Sequence, residues 1–383
     1  MILIRKIFKA LRLIPVWIIC RLFRIDKKKI VVSNYRGRGY GDNAKYIVES
    51  LLRSDNDIKI IWLVLNDKEA SSLPKDVIPC RMHSVASIYH LSTAKIWIDN
   101  CRKGVILFKR KSQFYMQTWH GFALKQIEKD VEDKLGKTYV RDAKKDSKLI
   151  DCIISDSKFM TQIYKSSFWY NGDVLELGSP RNDIIINRQQ DLADRVYKHF
   201  NISNDKKLIL YAPTFRSDGS NSAYALDFQR VKRSCEERFG GTFSVLVRLH
   251  PNIINNSEQM YFDGINIINA SFYPDMQELL SVSSVVISDY SSLMFDFALS
   301  MKPCFQFATD IDAYKQDRNF YFEIDKLPFV LAKDNEEMEK EILFFNEDAY
   351  KARLSEFYDS VGMIMNGFAS SKCSDIILEK MLE

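Results

Sequence analysis

At 383 residues, with 46% hydrophobic and 27% charged side chains, the chain has the length for two domains and an ordinary globular composition. Its 55 Lys and Arg are nearly matched by 50 Asp and Glu, so the net charge of +5 excludes the strongly basic balance of a general nucleic-acid binder. The seven cysteines are scattered with no C-x-x-C pair, which argues against a zinc or redox site and fits a reducing compartment.

Residues 1–29 mix Arg and Lys with Ile, Leu, Phe and Trp17. The uncharged run from Leu13 to Cys20 is too short to span a bilayer, and there is no small-x-small cleavage site. The pattern predicts a basic amphipathic helix lying on an anionic membrane surface, kinked or divided at Pro15. A helix packed on the protein's own core with a solvated basic face is the competing reading.

Apolar runs then alternate with helical stretches. Strands are expected at 30–32, 58–65, 94–99, 114–119, 151–155 and 174–177, with helices at 42–52 and 158–169. A polar stretch near 189–207 marks a boundary, placing a first domain at 30–190 and a second at 205–383. The second half repeats the pattern, with strands at 208–211, 243–247, 265–268, 285–287 and 304–307. It has helices at 227–239 and 274–282, and a helical region from Glu336 to the end. The fold class that follows is α/β with parallel, doubly wound sheets. Ligands in such sheets bind at the carboxyl ends of the strands.

Polar side chains collect at those ends. His120 follows one strand, Arg216, Arg248 and His250 follow others, and Asp289, Ser291 and Ser292 follow the run Val285-Val286-Ile287. Singly, each has a plain structural role: Ser291 or Ser292 caps a helix, and an Arg is a surface charge. Together they form a cationic, hydroxyl-rich rim suited to a pyrophosphate at a helix N-terminus. His120 is the general-base candidate, since an imidazole titrates near neutral pH. No paired-carboxylate constellation of the hard-metal kind is present. Asp289 and Asp296 read as structural or donor-binding, so neither metal nor cofactor is expected.

These residues sit in motifs that resemble the CDP-glycerol glycerophosphotransferase family, the polyol-phosphate transferases of teichoic-acid and capsule synthesis. The resemblance covers nearly the whole chain after its first helix. It rests on Gly41-Asp42-Asn43-Ala44-Lys45-Tyr46, on Thr118-Trp119-His120-Gly121 with Leu124-Lys125, and on Gly178-Ser179-Pro180-Arg181-Asn182-Asp183. It rests further on Tyr211-Ala212-Pro213-Thr214-Phe215-Arg216, on Arg248-Leu249-His250-Pro251, and on Asp289-Tyr290-Ser291-Ser292 with Phe295-Asp296. Phe122-Ala123 stands where the family often has Thr-Pro, and Arg318-Asn319-Phe320-Tyr321 where it often has R-G-x-Y.

The resemblance implies a GT-B fold, two Rossmann-like domains facing a central cleft with the donor held mainly by the second. It places His120 and His250 in catalytic positions. Arg216, Arg248, Asp289, Ser291, Ser292, Gly121 and Arg318 fall on the donor side, and Asp42, Asn43 and Lys125 on the acceptor side. The implied reaction moves a polyol phosphate from CDP-glycerol or CDP-ribitol to a lipid-linked glycan or polymer acceptor and releases CMP at the cytoplasmic membrane face. A GT-B glycosyltransferase using a nucleotide sugar is the alternative.

Overall fold

The computed structural model describes residues 14–54, 57–103, 108–187, 190–216, 225–249, 267–311, 314 and 319–383. These form two compact units, each built on one parallel sheet.

The first sheet contains β1 (Asp26–Ser33), β2 (Lys59–Val64), β3 (Val77–Arg81), β4 (Ala94–Asp99), β5 (Phe114–Gln117), β6 (Cys152–Ser155) and β7 (Asp173–Glu176). Its order is β3-β2-β1-β4-β5-β6-β7, with every adjacent pair parallel. β1 and β4 are central and covered on both faces, which is why Ile30-Val31-Val32 and Ile96-Trp97-Ile98 are unbroken apolar runs, all inaccessible to solvent. Winding reverses between β1 and β4, so their carboxyl ends define the switch-point crevice of this unit.

The second sheet contains β8 (Lys207–Tyr211), β9 (Phe243–Val247), β10 (Ile267–Asn269), β11 (Val285–Ser288), β12 (Cys304–Phe307) and β13 (Val330–Ala332). Its order is β10-β9-β8-β11-β12-β13, again parallel, with the switch point between β8 and β11.

Two strands lacked a sequence signal, and both are edges. β3 carries Pro79, tolerable only where a ladder donor is not needed, and β13 has three residues. The helical region from Glu336 consists of three helices, Asn335–Leu343, Glu347–Val361 and Ala369–Leu382. Asn346 caps the second through the Ala349 N–H, and Gly362, left-handed at φ 61°, ends it.

The unit boundaries also differ from those read off the sequence. The first unit comprises 1–120, 127–183 and 366–383, and the second 121–126 and 184–365. The last helix thus returns to the first unit, where its stripe of Cys373, Ile377 and Met381 joins Ile47, Val48 and Leu51 of the helix Asp42–Arg53 in one core. Phe368 occupies that helix's N-cap and supplies no side-chain cap. Asp183 does so from far along the chain, its carboxylate accepting from the Ala369 N–H at 3.0 Å and the Ser370 N–H at 2.7 Å.

Asp183→Ala is expected to lower stability by about 1–2 kcal/mol, the usual loss on removing a cap. Amide exchange across 369–382 should accelerate selectively, and Asp183→Asn, which keeps an acceptor oxygen, should recover most of the protection.

Candidate functional site

His120 lies three residues past β5, at the switch point of the first unit. Its Nδ1 is 2.6 Å from the carbonyl oxygen of Asn100, just beyond β4. A carbonyl only accepts, so Nδ1 carries the proton and Nε2 keeps its lone pair. The chain reaches this position through Trp119, left-handed at φ 51°. That turn is held by the Trp119 N–H donating to Gln117 Oε1 at 3.0 Å and by the Asn43 Nδ2 donating to the carbonyls of Thr118 (3.4 Å) and Trp119 (3.2 Å). The Trp119 ring stacks on the imidazole at 4.3 Å, and the Tyr35 ring meets it edge-on at 5.5 Å. Phe168 supports Trp119 edge-to-face at 4.7 Å, with the Arg102 guanidinium 4.6 Å over the Phe168 ring.

The charges around this histidine are mostly paired. Arg102 meets Glu128 at 3.1 Å and Asp146 at 3.5 Å, Lys103 meets Asp99 at 2.5 Å, and Arg181 meets Asp42 at 2.7 Å. Burial alone would raise the Asp42 carboxyl, but Arg181 and the Asn43 N–H outweigh it and hold Asp42 below the usual carboxylate range. Burial pushes Asp146 up to about 7 despite Arg102. The Cys101 thiol, 3.9 Å from His120 Nδ1, is pushed up to about 12, chiefly by burial and then by Asp99, so it stays protonated. For His120, burial lowers the pKa, and the Asn100 carbonyl and Asp42 only partly offset that. The imidazole is therefore neutral at pH 7, the form a general base requires.

The acceptor-side candidates divide. Asp42 and Asn43 belong to this site, but Asn43 is 1% exposed and wholly internal, its Oδ1 accepting from Ser179 Oγ and the Arg181 N–H. Lys125 falls in the second unit with Gly121–Gln126. That segment bonds to its neighbours through the Tyr321 N–H to Leu124 O and the Gln126 N–H to Asn319 O. Phe122, 2% exposed, packs among Phe295, Phe322 and Phe357, so this departure from the family pattern is a core side chain. Lys125 Nζ lies 5.2 Å over the Tyr314 ring.

At the switch point of the second unit Asp289 is a hub. It accepts from the Thr214 N–H and hydroxyl and from the Tyr290 N–H, and pairs with Arg216 at 2.8 Å. Arg216 also pairs with Asp310 at 2.7 Å and packs on the stacked rings of Tyr290 and Tyr314. Burial opposes its charge, yet Asp310 and Asp289 raise its pKa. These two of the donor-side candidates, Arg216 and Asp289, are thus 5% exposed or less and hold the loops after β8 and β11 together. Ser291 and Ser292 are half-exposed at the start of the six-residue helix Leu293–Ala298, and the Ser292 side chain makes no capping bond. Arg248 is half-buried, donating to the Tyr273 carbonyl at 2.7 Å. His250 and Arg318 lie outside the described residues. Among the described residues no group of three His, Cys, Asp or Glu side chains could hold a metal ion.

Sequence reasoning gave no role to Asn100, Trp119, Arg102 or Arg181. Trp119 and Arg181 stood inside quoted motifs, whereas Asn100 and Arg102 carry no local signal because their partners are distant in sequence.

A family model described as CDP-Glycerol:Poly(glycerophosphate) glycerophosphotransferase matches residues 16–379. The chain is 31% identical to a teichoic acid poly(glycerol phosphate) polymerase of Staphylococcus epidermidis, over 94% of this chain and 52% of that protein. It is 30% identical to one of Bacillus spizizenii, over 97% and 99%. It therefore spans about half the length of the first two curated relatives it matches, and nearly all of the Bacillus spizizenii protein. A structure of the wall teichoic acid polymerase TagF superposes with a TM-score of 0.85 at 29% identity, covering 99% of both chains. A TagF structure soaked with CDPG gives 0.82 at 29% identity, covering 99% and 97%.

The His120 imidazole should titrate below 6.5 by NMR. The unfolded chain then binds more protons than the folded one just below pH 6.5, so this residue's contribution to stability rises with pH through that window. Asp42→Asn removes an attractive charge and leaves Arg181 unopposed, so both effects should move the midpoint lower. An upward shift would contradict the electrostatics described.

Proposed function

Because the chain belongs to the CDP-glycerol:poly(glycerophosphate) glycerophosphotransferase family, we propose that it transfers glycerol phosphate from CDP-glycerol to a hydroxyl of a lipid-linked acceptor, releasing CMP, in the synthesis of a teichoic-acid-like envelope polymer. The observation that carries this reading is the neutral His120, with Nδ1 engaged by the Asn100 carbonyl and Nε2 left as base. The two parallel-sheet units are taken as the Rossmann-like domains of a GT-B fold, with the acceptor on the first and the donor on the second.

In this reading Nε2 accepts the acceptor's hydroxyl proton as that oxygen attacks the distal phosphorus of the donor. The bond from that phosphorus to the bridging oxygen breaks, and CMP leaves with the electron pair. Asn43 acts through His120 by fixing its loop, and Asp42 by its charge. Arg248 and the Ser291 and Ser292 hydroxyls take the donor phosphates, with His250 and Arg318 in the roles their motifs imply. Asp289 and Arg216 keep the loops that present those groups in shape. The Gly121 backbone, at φ 141°, lets the chain turn directly after the base.

The reading is tested by CMP release from CDP-glycerol and CDP-ribitol beside UDP release from UDP-sugars. Acceptor-dependent CMP release that falls about 10²–10⁴-fold in His120→Ala is expected. UDP release would move the enzyme to sugar transfer.

The start of the chain supports a peripheral place on the cytoplasmic membrane face. Among the described residues no helix is long and apolar enough to cross a membrane. Residues 14–20 are helical. Trp17 and Cys20 are buried, with Trp17 against Phe108, and Arg110 bonds to the carbonyls of Cys20 and Phe23. The other side presents Ile18, Ile19 and Leu22 at 63%, 57% and 84% exposure, beside exposed Arg21 and Arg24. Phe23 continues this apolar surface onto Tyr89. An apolar face next to cations matches an anionic bilayer surface. Replacing Ile18, Ile19 and Leu22 together by Asn should abolish sedimentation with anionic vesicles and leave the melting temperature unchanged. Retained sedimentation would refute the membrane reading.

A further inference from the structure

The loop after β1 presents a charge that the site, as described, leaves unused. Tyr35, Arg36 and Gly37 are consecutive left-handed residues at φ 40°, 58° and 87°. The loop is tied down on all sides. The Gly37 and Arg38 N–H groups donate to the Asn34 carbonyl at 2.8 and 2.9 Å, and the Leu65 N–H donates to the Gly37 carbonyl at 2.8 Å. The Tyr35 N–H donates to Asn100 Oδ1 at 2.8 Å, and Asn100 Nδ2 donates to Asn34 Oδ1 at 2.7 Å. At Gly37 a Cβ would meet the Leu65 nitrogen at 2.9 Å and Met82 Sδ at 2.6 Å, so the loop is held against β2 and the turn after β3. Asn100 is also the residue whose carbonyl fixes His120 Nδ1. One asparagine therefore sets both the loop that carries Arg36 and the imidazole.

Arg36 differs from the other cations here. Arg102, Lys103 and Arg181 are buried or paired against carboxylates, and Asp42 is taken by Arg181 and the Tyr35 hydroxyl. Arg36 is exposed, and its guanidinium has no ion pair or hydrogen bond among the described residues. Its charge nonetheless reaches the site, acting on the Cys101 thiol that touches the imidazole and on the Tyr139 hydroxyl bonded to Glu128.

We propose that Arg36 binds the phosphodiester oxyanion of the acceptor's terminal unit, so that the site extends ends that already carry phosphate. The proposal rests on the transferase reading above. When the terminal hydroxyl of a glycerol phosphate chain lies at His120 Nε2, its own phosphodiester follows one glycerol unit away, on the acceptor side. A guanidinium offers two parallel N–H donors to the two non-bridging oxygens of that group, and a fixed backbone limits the freedom lost on binding. An acceptor without phosphate gains nothing from this contact. Arg36 thereby becomes a specificity residue that favours elongation over the first transfer.

The test uses the full chain and its Arg36→Gln and Arg36→Lys variants. Binding of a soluble oligo(glycerol phosphate) is measured by calorimetry without any donor, and binding of CDP-glycerol is measured separately. The expected result is a loss of about 10- to 100-fold in oligomer affinity for Arg36→Gln, the weight of a charge-assisted contact. Partial recovery is expected in Arg36→Lys, with CDP-glycerol affinity within about twofold of wild type. In turnover, KM for a phosphate-bearing acceptor should rise with kcat held, and an acceptor lacking phosphate should not distinguish the variants. Unchanged oligomer affinity, or an equal loss towards CDP-glycerol, would overturn the proposal, as would a wild type that does not bind the oligomer. If oligomer binding depends on Arg36 but no CMP is ever released, the anion site stands and the transferase reading falls.

Discussion

Two backbone carbonyls, those of Thr118 and Trp119, converge on the carboxamide of Asn43, whose oxygen in turn receives Ser179 and the Arg181 N–H. Three segments far apart in the chain are thereby tied together, and these bonds hold the left-handed turn at Trp119 along with the Trp119 N–H to Gln117 Oε1 and the Thr118 hydroxyl to the Trp119 carbonyl. A buried polar group without a partner costs about 1–3 kcal/mol, so a small apolar side chain at 43 would leave several orphans at once. Only a carboxamide offers two N–H donors together with an acceptor oxygen here, and the longer Gln side chain would not fit a position that is 1% exposed. The histidine's geometry therefore depends on a residue that is itself buried.

The second unit solves the same problem with charge instead of amide groups. Asp289 and Asp310 flank Arg216, and the three hold Thr214 and Tyr290 in place at the carboxyl ends of β8 and β11. Buried ion pairs contribute little net stability but fix geometry strongly, since removing one partner strands the others. The motif residues Arg216 and Asp289 fall on the donor side by their motifs, with Asp289 read as structural or donor-binding. In the structure they shape the loops, and the groups left facing outward nearby are the hydroxyls of Ser291 and Ser292.

What the sequence made legible follows from physics that is local. Central parallel strands are apolar on both faces, so Ile30-Val31-Val32 and Val285-Val286-Ile287 stood out, and with them the polar residues at their ends. β3 and β13 gave no such signal, because β3 has exposed residues and Pro79 within it and β13 is only three residues long. The region of the helix Ala369–Leu382 was recognisable as helical, but the burial of Cys373, Ile377 and Met381 is seen only in the structure. Nothing local says against which sheet, and Asp183, the residue that caps it, lies in another motif altogether. His120 was found because an imidazole at a strand end is conspicuous, whereas Asn100 is an ordinary asparagine until β4 and β5 are paired.

The electrostatics of the first unit then take on a direction. Burial keeps the imidazole neutral, and the surrounding cations Arg102, Lys103 and Arg181 are each paired with a carboxylate, so that the opposition of Arg181 to a proton on His120 is outweighed by the attraction of Asp42. A site that neutralises its internal charges so thoroughly presents little net field to a polyanion, and a polyanionic acceptor would approach it without attraction. In the proposed reading, the uncancelled Arg36 guanidinium, carried by a loop whose backbone is fixed through Asn100, would supply that attraction. Its exposure leaves it screened by salt and inexpensive to keep charged, and in the proposed transfer its tether through Asn100 would hold it near the acceptor end bound at His120.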